Sequence, residues 1–254
     1  MGVNRFNYFS ANNNLKYCGS SQFKDFLKCP AKAMAILNGE LVQEETTALL
    51  IGSYVDSWFE GTLEQFKAEH PSIFKKDGTL KAEYEKANAI IERVSRDELF
   101  MKYMSGKKQV IKTGEIEGVP FKIKMDSYHK GKAIVDLKVI EDFEPIWSDE
   151  RGCYLDFIHY WGYDYQAAIY QAIEGDNLPF YICAVTKEAE PDFEVINIPQ
   201  SWIDSAMSVI KNEIGIIQAI KNGEIEAERC GHCDYCRATK KLTRVISADE
   251  LESD

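Results

Sequence analysis

The sequence predicts an α/β fold in which helices flank a mixed central sheet. Three observations support this prediction: polar and apolar residues alternate over 109–116, 119–126 and 133–139, a helical segment follows over 159–174, and a buried strand comes next over 179–186. Alternation with a period of two is typical of a half-buried strand, and short polar turns join the first three strands into a meander. Helices before and after the meander place the chain in the α/β class.

The composition indicates one globular domain over residues 1–254. With 254 residues, of which 45% are hydrophobic and 28% charged, the chain can bury one sizeable core. Segment 20–45 is predicted to be a helical N-terminal part of this domain, and segment 224–254 a cysteine-rich C-terminal extension. The Asn-rich residues 1–19 are expected to be loosely held.

Hydropathy and charge limit the possible partners. The sequence contains no run of about 18 apolar residues and no apolar signal-peptide core near residue 1, so we expect a cytoplasmic protein that does not enter a membrane. The net charge of −11 argues against a generally basic surface for nucleic acids. Contact with a nucleic acid would have to come from a local basic patch, and carboxylates that hold a metal would account for part of the negative charge.

A helix with an acidic stripe is predicted over 46–61, where threonine suits the N-cap and glycine suits the C-cap. Gly52, Asp56 and Glu60 are spaced by four residues, so they share one helix face. Glycine inside a helix costs up to about 1 kcal/mol relative to alanine, so Gly52 is expected to let another backbone come close. That neighbour would then face Asp56.

Segment 121–139 predicts a β-hairpin in which two aspartates face each other. Polar and apolar residues alternate on both sides of Gly131, which is a suitable turn residue. A turn centred on Gly131 places Asp126 opposite Asp136, with Cβ atoms about 4.5–5.5 Å apart, and like charges there are destabilising unless a cation compensates them. Lys138, two residues after Asp136, points to the same face. The alternative is an edge hairpin with an ordinary solvated, mixed-charge face.

The second half of the chain predicts further elements around this hairpin. On the aromatic-rich helix over 159–174, Gln166 and Tyr170 are four residues apart and share one face. A strand over 193–198 and an amphipathic helix over 201–222 complete the predicted core.

These residues, in this order, resemble the PD-(D/E)XK nucleases of the RecB and RecE exonuclease type, and most of all the phage and prophage RecE-like exonucleases. The shared pattern is Gly-x-x-x-acid on a helix, Asp at a strand end, Asp-x-Lys about ten residues later, and Gln-x-x-x-Tyr on a following helix. The likeness covers most of the chain, from the segment FLKCPAKAM to the segment CGHCDYC. It implies a restriction-endonuclease-like core and a single nuclease domain over 1–254.

The resemblance also implies roles for individual residues. Asp126 and Asp136 look like the carboxylates that bind Mg²⁺ or Mn²⁺, and the carbonyl of Leu137 looks like a further ligand. Lys138 looks like the lysine that positions the attacking water and the scissile phosphate. Many relatives carry histidine where this chain has Asp56, and a carboxylate there is a harder ligand for Mg²⁺. Carboxylate-held cations supply the activated water and charge stabilisation that phosphodiester hydrolysis needs.

Further implications concern the substrate and partners. Gln166 and Tyr170 match the helix that lines the DNA side of the site. The family implies a metal-dependent exonuclease that resects linear duplex DNA from 5′ to 3′, acts with a phage single-strand annealing protein, and assembles into a ring. Two other functions remain open: a single-strand-specific nuclease, and a non-catalytic nucleic-acid-binding module that keeps the nuclease fold.

Three cysteines near the C-terminus form a compact group. Cys230, Cys233 and Cys236 lie within seven residues, and in a cytoplasmic protein such a group favours metal over disulfides. Some exonucleases of the superfamily hold a [4Fe-4S] cluster with one N-terminal and three C-terminal cysteines, which would make Cys29 the fourth ligand, although their last spacing is longer. Four thiolates also suit Zn²⁺, with His232 as an alternative fourth ligand. A group without metal remains the third possibility. The other cysteines are expected to be packing residues: Cys18, Cys153 and Cys183.

Overall fold

The structure, a computed structural model, describes residues 2–251. Its strands, in chain order, are β1 (Lys107–Ile116), β2 (Val119–His129), β3 (Ala133–Ile140), β4 (Ile146–Ser148), β5 (Cys153–Leu155), β6 (Phe180–Thr186) and β7 (Phe193–Asn197). Its α-helices are α1 (Ala11–Lys16), α2 (Ser20–Lys28), α3 (Pro30–Leu37), α4 (Thr47–Glu60), α5 (Leu63–Glu69), α6 (Glu85–Ser95), α7 (Glu98–Tyr103), α8 (Phe157–Tyr160), α9 (Tyr163–Glu174), α10 (Gln200–Lys221) and α11 (Asp234–Ala238). Short 3₁₀ helices cover Pro71–Ile73, Ala82–Tyr84 and Ala248–Leu251.

The central sheet has five strands in the order β1-β2-β3-β6-β7. β1, β2 and β3 pair antiparallel, β3 and β6 pair in parallel, and β7 returns antiparallel to β6. The parallel pair is possible because α8 and α9 lie on the crossover between β3 and β6. The α/β class, the mixed sheet and the three-stranded meander are therefore confirmed. The hairpin of β4 and β5, which forms a separate small sheet, was not predicted.

Helices cover both faces of the sheet. Buried residues of α2, α9 and α10 pack with Ile123 and Ile134 on one face, and those of α4, α6 and α7 pack with Val135 and Leu137 on the other. Successive residues of β3 thus enter opposite cores, as expected for a strand that is buried on both faces. No helix among residues 2–251 is both long and apolar enough to cross a membrane.

Side chains of β2 point alternately to the two faces of the sheet, and this alternation is interrupted at Asp126. Met125 packs in the core beside α9, yet Ser127, two residues later, donates its hydroxyl to the carbonyl of Tyr103 at the end of α7, beside the opposite core. On β1 the residue that falls opposite Asp126 is Gln109, whose φ of 50° lies outside the strand range. The sheet is irregular here, as β-bulges often are beside functional sites.

The N-terminal segment is held against the sheet. The N–H of Cys18 donates to the carbonyl of Pro120 at 2.8 Å, and the N–H of Lys122 donates to the carbonyl of Cys18 at 3.0 Å. The buried ammonium of Lys122 donates to Asn14 Oδ1 at 2.6 Å. The expectation of a loosely held N-terminus is wrong where this segment reaches β2, because backbone and buried charge both anchor it.

Candidate functional site

A cavity of about 800 Å³ lies where α3 and α4 face β2, β3 and α9. All the residues predicted for the nuclease site line it: Asp56, Asp126, Asp136, Leu137, Lys138, Gln166 and Tyr170. These side chains come from two helices, α4 and α9, and from two strands, β2 and β3, and they converge on one space, which excludes the alternative of an ordinary solvated edge hairpin.

The two strand aspartates meet as the hairpin register requires. Ser127 pairs with Val135, so the next positions outward in this register are Asp126 and Asp136. The Leu137 N–H donates to Asp126 Oδ2 at 3.0 Å, in place of a regular backbone pair. In a strand the N–H and C=O of one residue point to the same neighbour, so the Leu137 carbonyl is directed toward β2 as well.

The electrostatics of these aspartates favour a bound cation. Burial raises the pKa of Asp126 well above its ordinary value, and the charges of Asp136 and Asp56 raise it further. Carboxylates that repel each other in a buried site are kept ionised by a divalent cation. Mg²⁺ prefers oxygen ligands and retains several waters, so this set of carboxylates and a carbonyl fits it without enclosing it.

Lys138 is paired with the second strand aspartate. Its Nζ lies 2.6 Å from Asp136 Oδ2 and 4.5 Å from the centroid of the Tyr163 ring. Burial alone would lower the pKa of Lys138, but Asp136, Tyr163 and Asp126 raise it above its ordinary value. The ammonium is therefore charged at neutral pH and fixed beside the carboxylates.

Asp56 lies on α4 with one oxygen unsatisfied. Its Oδ1 is buried and has no hydrogen-bond partner in the structure. Burial, and after it the charge of Glu60, raise the pKa of Asp56 while Lys124 lowers it, and the result is a pKa of about 7. A Cβ added to Gly52 would lie 4.0 Å from the Val139 Cβ, which is ordinary contact. The expected neighbour is thus β3, but alanine would also fit at this position.

The raised pKa of Asp56 predicts a pH-dependent loss of stability. Because the pKa in the folded state, about 7, exceeds the ordinary value of 3.8, the native state binds more protons between these limits. Its stability therefore falls as pH rises from about 4 to about 7. We expect Asp56→Asn, in buffer without added Mg²⁺ or Mn²⁺, to be more stable than the parent at pH 8 by an amount on the order of 2 kcal/mol.

Urea unfolding of both proteins across this pH range checks the prediction. The difference in free energy of unfolding should shrink as the pH approaches 4, where Asp56 is protonated in either state. A difference that is independent of pH would contradict the assigned role of this carboxyl.

Gln166 and Tyr170 make hydrogen bonds that hold other parts of the site in position. Gln166 Nε2 donates to Asp136 Oδ1 at 2.6 Å, and the Tyr170 hydroxyl donates to the Lys124 carbonyl at 3.0 Å. The two side chains are only 5% and 6% exposed, so their polar groups are engaged within the protein. Both line the cavity as predicted, but these bonds position Asp136 and β2. Their predicted contact with DNA stays a prediction.

The four predicted cysteines form a second site. Cys29 Sγ lies 3.6 Å from Cys236 Sγ and 3.8 Å from Cys233 Sγ, and Cys230 Sγ lies 3.9 Å from Cys236 Sγ. Among residues 2–251 this is the one group of three or more ligand-type side chains whose ligand atoms all lie within 4.8 Å of one another. The alternative ligand, His232, is exposed, and its Nδ1 contacts the Cys230 carbonyl at 2.9 Å.

Backbone N–H groups near Cys230 favour the thiolate form of this cysteine, which is the form that binds metal. Burial would raise the pKa of Cys230, but the N–H groups of Cys233 and His232 lower it to about 6. Burial and the neighbouring thiols of Cys230, Cys236 and Cys29 raise the pKa of Cys233 to about 12, although the N–H of Cys236 acts to lower it. A thiolate is the form that binds metal, so a cation would relieve the crowding of these four sulfurs.

Two residues at the site were missed by sequence reasoning. Tyr163, on α9, contacts Lys138 through its ring. Lys124 lines the cavity and lowers the pKa of Asp56, and its Nζ lies 5.4 Å from the centroid of the exposed Phe9 ring. Lys124 alternates with apolar residues on β2, in phase with Asp126, and that spacing is the signal that could have identified it.

A family model described as "PDDEXK-like domain of unknown function (DUF3799)" matches residues 19–239. A crystal structure of a candidate exonuclease from Eubacterium rectale is similar with a TM-score of 0.93 and 46% sequence identity, and the match covers 100% of this chain and 99% of that one. No curated protein matched the chain.

Proposed function

The chain belongs to the family of PDDEXK-like domains, and from this membership we propose that it is a metal-dependent DNA exonuclease that hydrolyses phosphodiester bonds at the ends of linear duplex DNA. The observation that carries the proposal is the convergence of Asp126, Asp136 and Lys138 on one cavity. The similarity to a candidate exonuclease from Eubacterium rectale supports the same activity.

Each residue has a distinct part in the proposed reaction. Asp126, Asp136, the Leu137 carbonyl and Asp56 would hold Mg²⁺ or Mn²⁺, which when bound supplies an activated water and neutralises charge on the phosphate. Lys138 places a fixed positive charge where the scissile phosphate gains negative charge in the transition state.

The alternatives and the finer details are tested by one digestion assay. Linear duplex DNA labelled at its 5′ or 3′ end is incubated with the protein and Mg²⁺, beside circular duplex, single-stranded DNA and reactions with EDTA. We expect metal-dependent loss of linear duplex, with the 5′ label released first, while the circle survives. Cleavage of single strands alone would indicate the single-strand nuclease, and no cleavage of any substrate would indicate a non-catalytic module.

Further proposals rest on the resemblance to RecE-like exonucleases. A ring-shaped oligomer, a single-strand annealing protein as partner and a role in phage-type recombination are expected for such an enzyme. Light scattering of the purified protein tests the ring: a mass that corresponds to a single chain would contradict it.

Gln166 gives a prediction about positioning. Replacing it by methionine keeps the volume but removes the donor to Asp136 Oδ1. Groups that orient metal-binding residues typically contribute about 10- to 100-fold to activity or metal affinity. We therefore expect a decrease of that size in turnover, measured with saturating linear DNA over a series of Mg²⁺ concentrations. Gln166→Glu should lower turnover at least as much, because it places an additional negative charge beside Asp136. Unchanged activity in Gln166→Met would contradict the positioning role.

We also propose that Cys29, Cys230, Cys233 and Cys236 hold a metal that ties the chain ends together. A Zn–S bond of about 2.3 Å in a tetrahedron separates the sulfurs by about 3.8 Å. The spacings of 3.6, 3.8 and 3.9 Å between these thiols fit one such ion. A [4Fe-4S] cluster needs its thiolates further apart, because the iron-sulfide cube lies between them. We favour Zn²⁺ on this ground. Metal and sulfide analysis of anaerobically purified protein distinguishes the two.

A further inference from the structure

A lysine that has no role in the proposed reaction lies beside Lys138. Lys24, on α2, donates its ammonium to the carbonyl of Trp161 at 2.9 Å. Its Nζ lies 5.1 Å from the centroid of the Tyr163 ring, and Lys138 Nζ lies 4.5 Å from the same centroid. One ring therefore contacts two ammonium groups. Of these, only Lys138 has a carboxylate within 4.0 Å in the part of the chain that the structure describes.

The fold makes room for this lysine. Gly162, between α8 and α9, has a φ of 62°, and a Cβ there would lie 2.9 Å from Lys24 Cδ and 3.0 Å from Tyr165 Cδ2. Glycine is favoured here by its backbone conformation, and its lack of a Cβ leaves room for the lysine side chain that crosses it. The Trp161 carbonyl and the Tyr163 ring then hold the Lys24 ammonium in place.

Charge around Lys24 is poorly balanced. Burial, and after it repulsion from Lys138 and Lys28, lower its pKa while Asp136 and Asp25 raise it, and the result is a pKa of about 8. At pH 7 the group is still mainly protonated. An anion that contacted Lys24 and Lys138 together would relieve this repulsion, and a phosphate group has suitable charge and acceptors.

An aromatic side chain and a second lysine extend the same surface. Lys28 follows Lys24 by one helical turn, and its Nζ lies 5.6 Å from the centroid of the Trp161 ring. The indole of Trp161 is 44% exposed. Grooves that bind single-stranded nucleic acid combine cations for the backbone with exposed aromatic rings on which bases stack. In a chain with a net charge of −11, this is a local basic patch of the kind that such contact needs.

We propose that Lys24, Lys28 and Trp161 form a strand-binding surface for the nucleic acid whose scissile phosphate lies at Lys138. The two ammonium groups contact phosphates of the strand, and the indole stacks on an unpaired base. This inference rests on the proposed nuclease function, because that function places the strand at Lys138.

Binding at several salt concentrations tests the surface. A fluorescent single-stranded oligonucleotide, with or without a terminal phosphate, is titrated into the full chain carrying Asp136→Asn, with Mg²⁺ present, and its anisotropy is followed. Each phosphate contact with a single strand contributes about 0.7 to the slope of log affinity against log salt. We expect Lys24→Gln and Lys28→Gln each to reduce that slope by about 0.7, and Lys24→Arg to keep it.

Two further variants separate stacking from charge. Trp161→Ala should weaken binding about tenfold and leave the salt slope unchanged. Lys86→Gln serves as the matched control, since Lys86 is an exposed lysine on α6, on the opposite face of the sheet, and its loss should change neither quantity. An effect of Lys24→Gln on both oligonucleotides assigns a backbone phosphate, and an effect confined to the phosphorylated one assigns the strand end.

Unchanged slopes in Lys24→Gln and Lys28→Gln would overturn the proposal. Lys28 is exposed, so its substitution tests the surface even if Lys24→Gln fails to fold. Failure of the nuclease proposal has a different signature, since the unsubstituted chain would then leave DNA intact in the digestion assay whatever its affinity for the oligonucleotide.

Discussion

Asp136→Asn is expected to abolish metal-dependent degradation of linear DNA, with a loss of at least about 1,000-fold, equivalent to about 4 kcal/mol of transition-state stabilisation. Asp136 lies at the centre of the site: it pairs with Lys138, accepts from Gln166 and repels Asp126. Asparagine has the same shape but binds a divalent cation poorly, because it carries no charge. Release of nucleotides from a linear duplex with Mg²⁺ measures the effect.

The fold of this variant should be retained. The asparagine Oδ1 can still accept from Gln166, and loss of one charge relieves the repulsion that raises the pKa of Asp126. Asp204→Asn is the matched control, since Asp204 is exposed on α10, away from the cavity, and should keep full activity. Digestion by Asp136→Asn at a rate within tenfold of the parent would show that another residue carries the reaction.

Cys29→Ser should have the largest effect on stability. Cys29 lies between α2 and α3, and its thiol meets those of Cys233 and Cys236 more than 200 residues later in the chain. Structural zinc contributes folding free energy directly, and its loss removes the link between Cys29 and the C-terminal extension. We expect a loss of at least about 3 kcal/mol, which corresponds to a decrease in Tm of roughly 10 °C for a chain of this size.

Calorimetry and metal analysis of the same samples measure both consequences. The parent should contain close to one zinc per chain, and Cys29→Ser much less. Cys153→Ser is the control, since Cys153 is exposed and outside the four-cysteine group, and it should match the parent. A parent free of zinc and iron, with a Tm unchanged by Cys29→Ser, would contradict a metal at these thiols.

The hairpin and its charged residues could be predicted because the relevant physics is local. A strand period of two and a turn at Gly131 suffice to place Asp126 opposite Asp136 and Lys138 on the same face as Asp136. The observed φ of 67° at Gly131 and the pairing of Ser127 with Val135 agree with that register. The grouping of Cys29 with the three distant cysteines came from the resemblance to superfamily exonucleases that hold a cluster with one N-terminal and three C-terminal cysteines, and the structure brings the four thiols together.

Features that depend on long-range packing could not be predicted. The phase change at Asp126 accompanies the positive φ of Gln109 on a different strand. Lys122 reads as a polar strand residue, yet it is buried and anchors the N-terminal segment. Cys153 was expected to pack inside the protein but lies exposed on the unpredicted β5. In each case tertiary contacts override the local pattern.

The central claim is that a divalent cation binds between the strand aspartates, and the most direct measurement is anomalous X-ray scattering from crystals soaked in Mn²⁺. We expect a peak in contact with carboxylate oxygens of Asp126 and Asp136, close to the Leu137 carbonyl, and no such peak in Asp136→Asn crystals. Soaked crystals of the parent without a peak at these oxygens, or with one that persists in Asp136→Asn, would contradict the account.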